Sequence, residues 1–349
     1  MKNVGIYDPY VHILGGGERY VFSIADCLSS DFHIILYSQE ETLLEKIQDK
    51  FGLSLKNISL KPWSTDRKKR NQELSQFDLF FYVTDGSLFR SPAKKNILII
   101  QSPAHIPNLS IVNRFKLFSW STVICYSEFM AQIIRKRLGK KAYPLFVPIS
   151  ETFTKIPPKE KCILTVGRFF PQLHNKKQLE MVQIFSEMVK EGLKNTTLYV
   201  VGSIDPGGTV YFEKVKKAAE SLPIKIIVNA SKKELDALYS KAKIYWHATG
   251  FGEDLINYPE KAEHFGVTTI EAMAKGVVPV VFNAGGQPEI VKNSENGFLW
   301  NTKEELKTYT HQIMTNDTLR LKLAQNALKD AKLYQQEIFC EKLKALCNF

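Results

Sequence analysis

The chain has 349 residues, of which 44% are hydrophobic and 24% charged, and a formal charge of +11. That length exceeds what one core usually supports, so two domains are expected, and the ordinary composition without low-complexity tracts excludes disordered, fibrous and solenoid classes. The five cysteines are odd in number and scattered without a C-x-x-C pair, which argues against a disulfide framework or a zinc site and for a reducing cytoplasm.

In chain order, residues 4–7 predict a strand with no secretory leader before it, followed by a loop holding Gly15-Gly-Gly17. A helix then carries Tyr20, Val21, Ile24, Ala25 and Leu28 on one face. Further strands are expected at residues 33–37, 79–83, 97–100 and 123–126. The segment 150–161, with Pro157-Pro158, lacks periodicity and predicts a linker. A second series begins at residue 162 and continues through strands at 198–201, 224–228, 244–247 and 277–282, separated by helical stretches. A final helix from residue 319 spaces Leu323, Ala327, Ala331 and Tyr334 at about one turn. This alternation predicts an α/β protein with two doubly wound domains facing each other across a cleft. The expected boundaries are 1–155, 156–330, and a C-terminal helix over 331–349 that crosses back to the first domain. No apolar run reaches the roughly 20 residues of a bilayer span.

Residues 1–155 hold 21 Lys and Arg against 14 Asp and Glu, and the remainder 26 against 22. Arg67-Lys-Lys-Arg70, Lys94-Lys95 and the run from Arg135 to Lys141 suit an anionic membrane surface or an acidic substrate, and equally solvated helix faces. Nucleic acid is disfavoured as a partner, because no binding motif or stacking platform accompanies the charge. Arg114-Phe-Lys-Leu-Phe-Ser-Trp120 interleaves cations and aromatics as a membrane-surface helix does, although Phe115 and Phe118 facing a core explain it as well.

The segment Glu263-His-Phe-Gly-Val-Thr-Thr-Ile-Glu271 sets two carboxylates around a Phe-Gly turn. Two acids gripping adjacent diols suit a sugar or ribose. Thr268-x-x-Glu271 also reads as a capping box, whereas Glu263 has no evident capping duty. Gly167-Arg168 at a strand end, with Lys176-Lys177 opening a helix, forms an anion site fit for a diphosphate, or else three solvated cations. Gly15-Gly-Gly17 is not a full G-x-G-x-x-G fingerprint, since Tyr20 replaces the last glycine, but it permits close approach of a ligand. The Gly-Gly pair at 285–286 has ordinary turn duties. The histidines show no metal-ligand spacing.

Val166-Gly-Arg168 with Lys176, the Glu263-His-Phe-Gly to Glu271 segment, and Gly285-Gly-Gln-Pro-Glu289 together resemble the retaining GT-B glycosyltransferases of family four. The likeness runs nearly throughout the second half and more loosely through the first. It implies two Rossmann-like domains and transfer of a hexose from a GDP- or UDP-linked sugar to a glycan, lipid-linked or polysaccharide acceptor. It further implies that Arg168 and Lys176, with Lys177 as a register alternative, bind the donor diphosphate. Glu271 then holds the ribose and Glu263 the transferred sugar, while Phe265, Gly266, Val267 and Thr268 line the donor. Gly16 and Gly17 approach the diphosphate from the first domain, and Gln101 or His105 occupies the acceptor side. No metal or other cofactor is implied, because cations and helix ends stabilise the departing diphosphate. A sugar-binding protein without transfer activity and a nucleotide-sugar epimerase on the same fold are the alternatives. The expected location is the cytoplasm, with the inner face of the membrane as a peripheral site.

Overall fold

The structure, a computed structural model, describes residues 2–53, 55–149, 155–172 and 175–347. It divides into two units, Met1–Ser150 together with Tyr334–Phe349, and Glu151–Leu333. The start of the expected linker lies outside the described residues. Residues 155–159 have no regular element, and Glu160 already opens a strand.

The first unit is built on β1 (Lys2–Tyr7), β2 (Phe32–Tyr37), β3 (Ile58–Lys61), β4 (Leu79–Val83), β5 (Lys95–Ile99), β6 (Thr122–Cys125) and β7 (Ala142–Pro144). They pair in parallel in the order β3-β2-β1-β4-β5-β6-β7. The helix Gly16–Leu28 buries Tyr20, Val21, Ile24, Ala25 and Leu28, the face that the 3.6-residue spacing selects. Of the run after Arg114, Leu117 and Trp120 enter the core, whereas Phe115 and Phe118 remain exposed, against the inward placement expected of a core helix.

The helix Gln336–Cys347 belongs to this unit and packs on Gly16–Leu28. The Phe339 ring lies 5.6 Å from Tyr20, Gln336 Nε2 donates to Ser23 O at 3.2 Å, and Cys27 is disulfide-bonded to Cys340. That bond corrects the reading of the cysteines as unpaired. The partners stand 313 residues apart, and only the return of the chain onto the first helix makes them neighbours. Scatter in sequence is no guide to such a pair, and the inference of a reducing compartment loses its support.

The second unit comprises β8 (Glu160–Val166), β9 (Thr197–Gly202), β10 (Ile224–Val228), β11 (Ala242–His247), β12 (Val278–Phe282) and β13 (Phe298–Trp300), parallel in the order β10-β9-β8-β11-β12-β13. Every residue of β11 is buried, as a central parallel strand covered on both faces requires. In both sheets the winding reverses at one place, between β1 and β4 and between β8 and β11. Such a switch point opens a crevice at the carboxyl ends of the strands, where ligands of open α/β sheets bind.

Candidate functional site

In the second unit the residues singled out in the sequence gather at the carboxyl edge around the β8–β11 switch. The chain leaves β8 through Gly167, whose missing side chain makes room for the Lys176 stem: a Cβ there would stand 2.6 Å from Lys176 Cγ. Gln178, at the start of the helix Gln178–Lys190, locks this exit by donating from Nε2 to Gly167 O at 3.0 Å and Arg168 O at 3.1 Å. The Arg168 side chain is about half exposed and donates to Asp205 Oδ2 at 3.0 Å.

Lys176 Nζ lies 2.5 Å from Glu263 Oε2, and the same oxygen is 2.9 Å from His247 Nε2 at the end of β11. Burial pushes the His247 imidazole below its ordinary value, opposed by the Glu263 carboxylate beside it. A carboxylate only accepts, so a neutral His247 carries its proton on Nε2 and presents Nδ1 as an acceptor, which is buried without a hydrogen-bond partner. Glu263 therefore has the structural duty that sequence reasoning could not find. It joins an ammonium to an imidazole from two other elements.

After Glu263 the backbone turns at Gly266, with φ +121°, and enters the helix Val267–Ala274. Only glycine adopts that φ without strain, and a Cβ would also meet Gln287 Nε2 at 2.7 Å. The glycine pair at 285–286 does more than turn. A Cβ on Gly285 would stand 2.1 Å from Glu263 O, so the two loops touch backbone to backbone, and Gly286 N donates to Glu263 O at 2.8 Å. The N-cap of the helix is Gly266, which supplies no side-chain cap. The Thr268-x-x-Glu271 capping box is thus corrected: Thr268 is already the second helical residue. Its Oγ1 accepts from Tyr245 OH at 2.6 Å, and Glu271 accepts from Tyr239 OH at 3.1 Å. The helix N-terminus, flanked by Phe265, Val267 and Thr268, presents backbone N–H groups and the positive end of its dipole.

Lys177 follows another course. It is the N-cap of Gln178–Lys190 at φ +58°, and its ammonium is buried 2.6 Å from Glu253 Oε1. Lys261 pairs with the other Glu253 oxygen at 2.7 Å, and the two cations hold that carboxyl below its usual range. The structure brings Lys176, Glu263 and the Gly266 helix start together, places Arg168 against Asp205, and sets Lys177 in a separate ion cluster.

In the first unit Gly15 caps the helix Gly16–Leu28, with its N–H donating to Glu18 Oε2 at 2.6 Å. Gln101 Nε2 donates to Gly17 O at 3.1 Å, while a Cβ on Gly16 would meet nothing within 4 Å. His105 stacks on Tyr10 at 5.7 Å, and burial lowers its imidazole against the opposing pull of Asp85. Of the two acceptor-side candidates, Gln101 is the one held at the glycine loop.

Sequence reasoning passed over His247, Glu253 and Asp8. Asp8 follows β1 directly and is only 1% exposed; its Oδ1 accepts from Tyr10 N at 2.8 Å and its Oδ2 has no partner. Burial pushes its carboxyl up to about 7. A polar residue directly after an apolar strand was the available signal for Asp8, as was a polar residue closing an apolar strand for His247.

The family described as glycosyl transferases group 1 matches residues 148–330. The chain is 29% identical over 165 residues to a GDP-Man:Man(3)GlcNAc(2)-PP-Dol alpha-1,2-mannosyltransferase of Dictyostelium discoideum, covering 45% of this chain and 30% of that protein. The matched stretch spans about a third of the length of the curated relatives. Among solved structures, sucrose-phosphate synthase of Thermosynechococcus elongatus superposes with a TM-score of 0.72 at 15% identity, over 100% of this chain and 98% of that one. The HepE protein of Anabaena, solved with UDP, gives 0.72 at 16% identity over 100% of both. At these identities the likeness establishes the fold, GT-B.

Proposed function

The chain belongs to the glycosyl transferases group 1 family, and from that premise we propose that it moves a hexose from a GDP- or UDP-linked sugar to a hydroxyl of a glycan. The observation that carries this reading is the Lys176–Glu263–His247 chain beside the open N-terminus of Val267–Ala274. A nucleotide sugar needs a cationic, N–H-rich place for its diphosphate and carboxylates for its hydroxyls, and those groups meet here at one sheet edge.

In this reading Arg168, Lys176 and the N–H groups of Val267 and Thr268 bind the diphosphate, and Glu271 holds the ribose. Glu263, its orientation fixed by His247, holds the sugar. The bond from the anomeric carbon to the diphosphate breaks with its electron pair leaving on the diphosphate, whose charge the cations offset as it develops. The acceptor oxygen attacks on the same face, its proton passing to a phosphate oxygen, and the configuration is retained. Lys177, tied to Glu253, holds the helix start rather than the donor. A lipid-linked diphosphate glycan is the acceptor class we favour, in line with the Dictyostelium relative's name, and with such an acceptor the inner face of a membrane is the expected place of work.

Incubation with a panel of nucleotide sugars, read by mass spectrometry, tests the proposal. Slow donor hydrolysis or transfer with retained configuration supports it. Binding without any turnover indicates a sugar-binding module instead, and an altered sugar still joined to its nucleotide indicates an epimerase.

A further inference from the structure

The first unit carries a groove of about 1300 Å³ whose lining includes none of the residues assigned to transfer. Five of its lining residues are cations, Arg67, Arg70, Arg90, Lys94 and Lys116, and none is acidic. Lys94 pairs with Asp78 at 2.8 Å, whereas the other four have no acidic partner among the described residues. Arg70 lies against two rings, 5.6 Å from the Trp63 centroid and 5.4 Å from that of Phe89, which fixes its guanidinium in the groove wall. One rim is the helix Ile111–Leu117. Ile111 is 76% exposed, Phe115 69% and Phe118 81%, and their spacing of four and three residues sets them on one helical face. Val112 beside them is 61% exposed, and Leu117 on the opposite side is buried.

Two large exposed rings and two exposed aliphatic side chains on two turns of helix are costly in water, and a soluble surface rarely gathers them. Beside them stand cations without counter-charges. Apolar side chains at the acyl boundary with cations at the level of phosphate headgroups is the arrangement by which a helix lies in a bilayer interface. We propose that this groove and the Ile111–Leu117 face form a docking site for an anionic lipid bilayer, with lipid phosphates between the arginines and Phe115 and Phe118 in the acyl boundary. A nucleic acid would use the cations but leave the aliphatic side chains and rings in water, so charge and apolarity together favour lipid. The inference goes beyond the transfer reading and does not require it.

Flotation of the full chain with phosphatidylglycerol-containing and with pure phosphatidylcholine vesicles, without donor or acceptor, tests the site. The expected result is at least about a tenfold preference for the anionic vesicles, weakened by salt. Phe115→Ser with Phe118→Ser lowers partition by more than about tenfold, and Arg67→Glu with Arg90→Glu by at least about 25-fold, from roughly fivefold for each cation lost. All four side chains replaced are exposed, and an unchanged circular dichroism melt confirms that the variants fold. Equal binding to neutral vesicles, wild-type partition of the aromatic variant, or capture of a short RNA in preference to anionic vesicles overturns the proposal. Sugar transfer by a chain that binds no vesicle sinks this site alone. Vesicle binding without transfer sinks only the preceding reading.

Discussion

The two sheets share one strand order around their switch points, yet the residues at the two carboxyl edges carry charge in opposite ways. Around β8 and β11, charges come in partnered sets: Lys176 with Glu263, Arg168 with Asp205, Lys177 and Lys261 with Glu253. After β1, the Asp8 carboxyl is buried with no cation paired to it among the described residues, and burial keeps its proton on to about pH 7. An edge built of partnered charges can exchange one anion for another, so a diphosphate can take over the cations that carboxylates hold. An edge with a protonated acid offers a neutral donor and acceptor instead, which suits a hydroxyl-bearing ligand. In the proposed reading the same topology suits two kinds of guest, through the residues at the end of each strand.

The comparison breaks most directly at Arg168. Arg168→Ala is expected to lower kcat/KM for the nucleotide sugar about a thousandfold, roughly 4 kcal/mol of transition-state stabilisation. Because the side chain is half exposed and its Asp205 pair lies at the surface, the denaturation midpoint should hardly move. Wild-type turnover in that variant would remove Arg168 from the site.

At the first edge the effect is on stability. Asp8 has its folded value raised from 3.8 to about 7. Between about pH 4 and pH 7 the folded state therefore keeps a proton that the unfolded state has lost, and stability falls as pH rises, on the order of 4 kcal/mol in all. Asp8→Asn should abolish that fall, as seen in urea titrations at about pH 5 and about pH 8. A wild-type curve that rises over this window would refute the assignment.

The glycines that open the two helices differ as well. Gly266→Ala forces a side chain onto φ +121° and against Gln287, and should cost about 2 kcal/mol in chemical denaturation. Gly16→Ala meets nothing within 4 Å and should change stability by less than about 0.5 kcal/mol. Equal losses in the two variants would show that the contrast between the helix starts is unreal. The smallest effect belongs to Lys177→Ala. With its ammonium committed to Glu253, the KM for donor should stay within about threefold of wild type. A large rise in KM would move the diphosphate contact from Lys176 to Lys177.

The central strands were legible because their apolar runs are long and buried, as in β4 and β11. The strands missed, β3, β7 and β13, are all edge strands of three or four residues, too short for a pattern to rise above loop. In the site, Glu263, Lys176 and Gly266 stood out by residue type and spacing. Their partner His247 did not, since it lies 16 residues before Glu263 on another element. The helix cap was read at Thr268, two positions late, because Thr-x-x-Glu is a cap only where Thr precedes the helix. Here the φ of Gly266 had already begun it.

The return of residues 334–349 to the first unit has a consequence for synthesis. When the first 150 residues emerge from the ribosome, the helix that covers Tyr20 and supplies Cys340 has not yet been made. The second unit is one uninterrupted stretch and can reach its native packing while the first still waits for its last helix. The unit whose coding comes first is therefore completed last, and chains arrested before residue 334 should show a protease-resistant second unit beside a first unit that proteases still cut.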